Sequence, residues 1–315
     1  MEVNEQTVRS ATRPGGGVKR SSGRALRRKR LLSAWLFMLP LLLVNVLVIL
    51  GPSVATVYYS FTDWSGLGPA EWVGLQNYTD IFSDGDFWGA LGHNLLWTVI
   101  FLTVPIGMGL GGAFLLSQIT RFQMIFRVLY FIPYVMASVV NAALWQNILD
   151  PDRGVGSVLA NFGIPWLDGV SFFGSERLAL PAVAFVDNWH WWGFVVLLFL
   201  TALQSVDKEL YEAARIDGAN RWQQFVNVTI PGIRATLVFV VLITIIGSLL
   251  VFDYIYIITQ GGPAGASEVV GTLMYKEAFG RFEAGYAAAL GLGMSFISGI
   301  IVLVFIYLRR RGWEI

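Results

Sequence analysis

Apolar residues in this chain gather into six long runs, near 31–57, 93–117, 123–147, 178–204, 233–258 and 284–308, separated by polar stretches. A helix needs about 20 mostly apolar residues to cross a bilayer, and each run reaches that length. The pattern predicts an all-α chain of six transmembrane helices. The second, third and fourth runs are interrupted by Asn94, Pro105, Asn141, Asp187 and Asn188. Polar and proline positions at membrane depth are tolerated where they face protein or a water-filled cavity, so the interruptions point to a transporter or channel.

Composition agrees with this reading. The 315 residues are 55% apolar and 14% charged, with a mean hydropathy of +0.61, whereas soluble domains carry roughly a quarter charged residues. The net charge of +1 hides a strong asymmetry. Of the 22 Lys and Arg, eighteen lie in the N-terminal tail, in the second and fourth connections, and at the C-terminal end; Arg153, Arg177, Lys276 and Arg281 fall on the other side. Basic residues favour the cytoplasmic side, so both termini and the connection after the fourth run are expected there, in a multi-pass membrane protein. Residues 1–30, ending in LRRKR, read as a flexible basic cytoplasmic tail, and residues 31–315 as the transmembrane domain. The run from Leu31 exceeds a signal-peptide core and has no clear small-residue cleavage site, so it is expected to remain as an anchor.

Several chemistries are excluded or disfavoured. No Gly-Lys pair exists, so no phosphate-binding loop of that type can form and no nucleotide hydrolysis by that route is expected. There is no Cys, and the two histidines, His93 and His190, lie on different spans without a ligand pattern, so no metal site is expected. Nor is there a nucleophile–base constellation for a membrane hydrolase. The chain is expected to be non-catalytic, without nucleic-acid contact.

One polar segment stands out, LYEAARIDGANRWQQFVNVTIPG, from Leu210 to Gly232. Ser205 or Asp207 can cap a first helix with Leu210, Ala213 and Ala214 at apolar spacing, and Gly218 can end it. Asn220 with Gln223 three residues later predicts a capping box for a second helix, and Pro231 can open the next span. A surface amphipathic helix resting on lipid is the plain alternative. The small residues Ala213, Ala214, Gly218 and Ala219 favour close approach of another protein instead.

Glu212-Ala213-Ala214, then Gly218, Val228, Ile230 and Pro231 resemble the EAA motif of the membrane subunits of ABC importers, with Asp217, Ala219 and Phe225 also in place. SFTDW, GLQNY, RVLYFIPYV and the long FDYIYIITQGGPAGASEVVGTLMYKEAFGRFEAGYAAALG resemble the carbohydrate-uptake branch, the maltose and glycerol-phosphate type permeases. The resemblance implies a six-helix type I ABC importer permease fold with a cytoplasmic coupling helix in a loop over residues 205–231. It implies a second homologous permease, two ATP-binding subunits that hold ATP and Mg, and an extracellular or periplasmic sugar-binding protein, with no cofactor in this chain. Its ATPase-coupling residues would be Glu212, Ala213, Ala214, Asp217, Gly218, Ala219, Phe225 and Pro231.

Depth along the fourth and fifth spans places Asp187, Asn188 and Trp189 level with Asp253, Tyr254 and Tyr256, and these are candidate sugar contacts together with Asn141; Asn94 is a weaker one. An interfacial aromatic belt and backbone-bonded carboxylates are the structural alternative. With no Lys or Arg in the middle of any span, a neutral mono- or oligosaccharide is favoured. The rival function is an ion-coupled carrier that protonates Asp187 or Asp253. Gly107 and Gly111 are expected to mediate helix packing.

Overall fold

The computed structural model describes residues 23–119 and 121–310, and among them it is helical with a single isolated bridge, Thr62 to Trp72. Residues 1–55 and 56–315 form two compact units. In the first, the described chain is one helix from Gly23, with a π-helical turn at Asn45–Leu50. The predicted tail lies outside the described residues up to position 22. From Gly23 it is helical instead, because Arg, Leu and Lys all sustain a helix that has already begun.

Five helices are long and apolar enough to cross a membrane: Ser33–Tyr59, Gly85–Gln118, Ala179–Ser205, Arg234–Ile258 and Ala284–Leu308. They are the first, second, fourth, fifth and sixth spans. The second starts earlier than its apolar run because Asp84 caps it, accepting from the Asp86 amide at 2.8 Å. The third predicted span is not one helix. Gln123–Val135 and Ser138–Ile148 meet at 99°, and Met136 and Ala137 between them are extended. Pro133 has no amide to continue the helical ladder, and the chain turns just after it. The fifth span is also interrupted, with its helix stopping at Leu249 and resuming at Asp253.

Breaks at membrane depth free backbone groups, and two buried asparagines take them up. The Asn94 side-chain amide donates to Ser248 O at 3.0 Å and Leu249 O at 3.3 Å, and its oxygen accepts from the Val270 amide at 2.9 Å. Asn141 donates to Pro133 O and to the Tyr254 hydroxyl, both at 3.1 Å. Each side chain thus bridges a broken helix to its neighbour. An unmet backbone group in hydrocarbon costs several kcal/mol, so these two residues have a structural task at the breaks.

Glycine sets how closely the spans approach. A Cβ on Gly109 would lie 2.5 Å from Val195 Cγ1, and one on Gly112 3.0 Å from Val196 Cγ2, so the second and fourth spans interlock there. Around them Phe199, Leu200, Ile233 and Val240 form one core, while Trp97 stacked on Phe101 at 5.2 Å anchors another with Val183, Val186 and Ile255. Gly107 and Gly111, the pair expected to pack, have open space where a Cβ would stand. They lie on the other side of the helix, because one residue advances it by 100°.

Gly193 is tighter still, since an added Cβ would overlap the Tyr130 carbonyl of the third span. Gly193→Ala should therefore lower stability by about 2 kcal/mol or more, while Gly107→Ala should be neutral or stabilising by up to about 1 kcal/mol. Thermal unfolding of the two purified variants, followed by tryptophan fluorescence, checks the contrast.

Candidate functional site

Two features stand apart from the packed core. The first is the loop joining the fourth and fifth spans. Asp207 caps the helix Lys208–Ile216, accepting from the Glu209 amide at 3.1 Å, and Gly218 reverses the chain at φ +80°. Asn220 and Gln223 then close both halves of a capping box, at 2.9 and 2.8 Å, to start a second helix at Arg221. The chain continues through a π-helical stretch, Phe225–Thr229, into the turn Ile230–Gly232.

Cross-ties make this segment a closed hairpin. The Tyr211 hydroxyl meets Thr229 Oγ1 at 3.0 Å, and the Gln224 amide donates to Ala219 O at 2.8 Å. Its two ends also touch, since a Cβ on Gly232 would stand 2.8 Å from Val206 Cγ2, with Val206 and Ile233 buried side by side. The hairpin is therefore joined to the fourth and fifth spans at one packed base.

The expected contact residues divide between two faces. Glu212, Ala213, Asp217, Gly218 and Pro231 are exposed, whereas Ala214 and Ala219 are half-buried on the inner side. Phe225 departs from the expectation. It points to the second span, edge-on to Phe114 with ring centres 6.4 Å apart, and serves as an anchor. Two apolar residues complete the outer face, Leu210 at 53% exposure and Ile216 at 86%, the second of them missed from the sequence. The signal was present in Ile216, an isoleucine between charged neighbours with no apolar partner of its own.

The second feature is a cleft of about 370 Å³ where the two broken helices meet the fourth span. Ser138 opens the second half of the third span, Leu250 to Phe252 are the break in the fifth, and Asp253 and Tyr254 begin the helix that follows. Asp187, His190 and Trp191 come from the fourth span at i, i+3 and i+4, one face of a helix. Asp187 Oδ1 lies 3.9 Å from His190 Nδ1, and the His190 ring stacks on Tyr134 at 5.2 Å. The Trp191 indole N–H is buried without a partner. No Lys or Arg is among the described residues that line the cleft.

Of the candidate solute contacts, the structure brings Asp187, Asp253 and Tyr254 together and leaves the others out. Asn188 is buried on another face, its amide 3.6 Å from Met108 Sδ. Trp189 packs on Trp145 at 5.5 Å, Tyr256 stacks on Phe252 at 5.0 Å, and Asn141 lies behind Tyr254 as the staple described above. Helical rotation separates neighbours by 100°, so residues adjacent in sequence to those that line the cleft face other elements. His190, Trp191 and Ser138 are the additions. The i, i+3, i+4 spacing from Asp187 was the available signal for the first two.

The profile of binding-protein-dependent transport system inner membrane components matches residues 103–311. The chain belongs to that family. This permease is 34% identical over 284 residues to the probable ABC transporter permease protein YurN of Bacillus subtilis, covering 89% of this chain and 97% of the relative. It is 30% identical over 307 residues to the diacetylchitobiose uptake system permease protein NgcF of Streptomyces coelicolor, covering 92% and 87%. Its fold is similar to a chain in the crystal structure of a bacterial ABC transporter that imports the acidic polysaccharide alginate, at a TM-score of 0.80 and 24% identity, covering 92% of this chain and 98% of that one. The likeness extends over nearly the whole chain and supports an all-helical importer permease fold.

Proposed function

We propose that this permease is the membrane path of an ATP-driven sugar importer, working with a second homologous permease, two ATP-binding subunits and an external sugar-binding protein. Family membership supports the dependence on a binding protein. Relatives named for uptake of diacetylchitobiose and of multiple sugars support the sugar. ATP and Mg belong to the partner ATPase, and this chain contributes no catalytic group. The observation that carries the reading is the closed hairpin between the fourth and fifth spans. It presents Leu210, Glu212, Ala213 and Ile216 outward and is fixed at both ends to spans that line the cleft. The basic residues around it support a cytoplasmic position.

In this mechanism the ATPase grips the outer face of the hairpin. Closure of the ATPase subunits moves the hairpin as a body, and the fourth and fifth spans turn with it. Only contacts that differ between the two states can shift such an equilibrium, so the lever must resist bending. Gly218 is the bend that gives it shape. Gly218→Pro, which cannot adopt φ +80°, should leave ATP hydrolysis by the assembled complex in proteoliposomes while uptake falls to background. Uptake at the wild-type rate in that variant would remove the lever.

The cleft is the proposed solute path. Carboxylates and indole or phenol groups can hydrogen-bond sugar hydroxyls, and the rings offer apolar faces to a pyranose. Two carboxylates without a cation favour neutral sugars over sugar acids. Like charges at close quarters cost several kcal/mol, so the double variant Asp187→Asn with Asp253→Asn should raise the ratio of uronate to neutral-sugar uptake by about tenfold or more. An unchanged ratio would place the solute elsewhere. The same pair of carboxylates favours a second reading, proton-coupled transport. Uptake that needs ATP and survives a protonophore separates the two.

A further inference from the structure

A second cavity, about 410 Å³, opens where the second span passes the root of the hairpin. Gly107, Leu110, Gly111 and Phe114 form one wall, and Arg221, Trp222 and Phe225 the other. The two glycines leave a smooth slot, with no atom of another described element within 4 Å of where their Cβ atoms would stand. At its floor Phe114 meets Phe225 edge-on, and Phe225 stacks on Trp222 at 5.7 Å. The slot runs about 10 Å along the helix and ends just short of the helix terminus at Gln118, so it lies at one edge of the hydrocarbon layer. There the chemistry changes. Arg221 is exposed at the mouth and has no ion-pair partner among the described residues, and Trp222 beside it is 71% exposed.

An apolar channel that ends in a free guanidinium and an indole at the membrane edge matches one kind of molecule. Apolar walls accept an acyl chain. A guanidinium binds a phosphate through paired N–H donors, and tryptophan favours the headgroup level. The geometry points to a site for an anionic diacyl phospholipid of the cytoplasmic leaflet, with one chain along Gly107 and Gly111 and its phosphate on Arg221. The bound lipid would fill the space between the second span and the second helix of the hairpin. Its presence would stiffen the lever from below. This role rests on the cytoplasmic coupling reading above, whereas the binding itself does not.

The test uses the assembled transporter, purified in mild detergent from membranes containing phosphatidylglycerol and then analysed by native mass spectrometry for retained lipid. Phosphatidylglycerol should stay with the wild type in preference to phosphatidylcholine. Gly111→Leu, at a position with open space for a Cβ, should fill the slot and abolish retention. Arg221→Gln should keep the chain site and lower the preference for phosphatidylglycerol roughly fivefold. In proteoliposomes, replacing phosphatidylcholine with phosphatidylglycerol should raise ATP-driven transport by the wild type more than by either variant. Equal retention by wild type and Gly111→Leu would overturn the site, and so would a photo-crosslinker at Gly107 that captured the second permease and no lipid. Lipid retention without loss of coupling in Gly218→Pro would keep the site and remove the lever, so the two failures are separable.

Discussion

Breaking a helix inside a membrane is permitted only where something else satisfies the freed backbone, and in this permease that constraint organises the fold. Each of the two breaks has its own asparagine. Asn94 reaches from the second span to the carbonyls left open at Ser248 and Leu249, and Asn141 returns to Pro133 while holding Tyr254. With those groups met, Ser138 and Val251 to Tyr254 can face a cleft instead of continuing two unbroken helices. The cleft is therefore a product of the staples, and the carboxylates of Asp187 and Asp253 occupy space that the breaks created.

From the cleft, the fourth and fifth spans descend as continuous helices to Ser205 and from Arg234, where Val206 and Ile233 are buried together. The hairpin begins and ends at that point. Its capping box, the Tyr211 to Thr229 contact and the Gln224 tie leave it few ways to deform internally. Rigid helices joined to a tied hairpin are what a lever requires. The interlock at Gly109, Gly112 and Gly193 then gives the fourth span a fixed surface to bear against.

Much of this was legible in the sequence. Run length located the spans, since a bilayer imposes a length on them, and the caps at Asp207 and Asn220 and the reversal at Gly218 followed from local chemistry. What could not be read was orientation about each helix axis. Asn141 and Asn188 are as polar as Asp187, but one staples a break and the other faces Met108, and only tertiary packing decides that. The same limit misassigned Gly107 and Gly111, because glycine spacing marks a smooth face without saying what lies against it. Phe225 was read as a contact for a partner and proves to be an anchor to Phe114. The 99° bend was hidden because apolar residues dominate on both sides, and Pro133 alone does not reveal how far the chain will turn.

The central claim is that the state of the ATPase, felt at the hairpin, decides which side of the membrane the cleft faces. The chain has no cysteine, so Ser138→Cys places a single thiol in the cleft of the assembled complex. Labelling by a membrane-impermeant maleimide from the outside should be slow in the resting complex and rise sharply when the ATPase is trapped with vanadate. Labelling that stays the same in both states would show that the cleft does not answer to the hairpin, and would contradict the account.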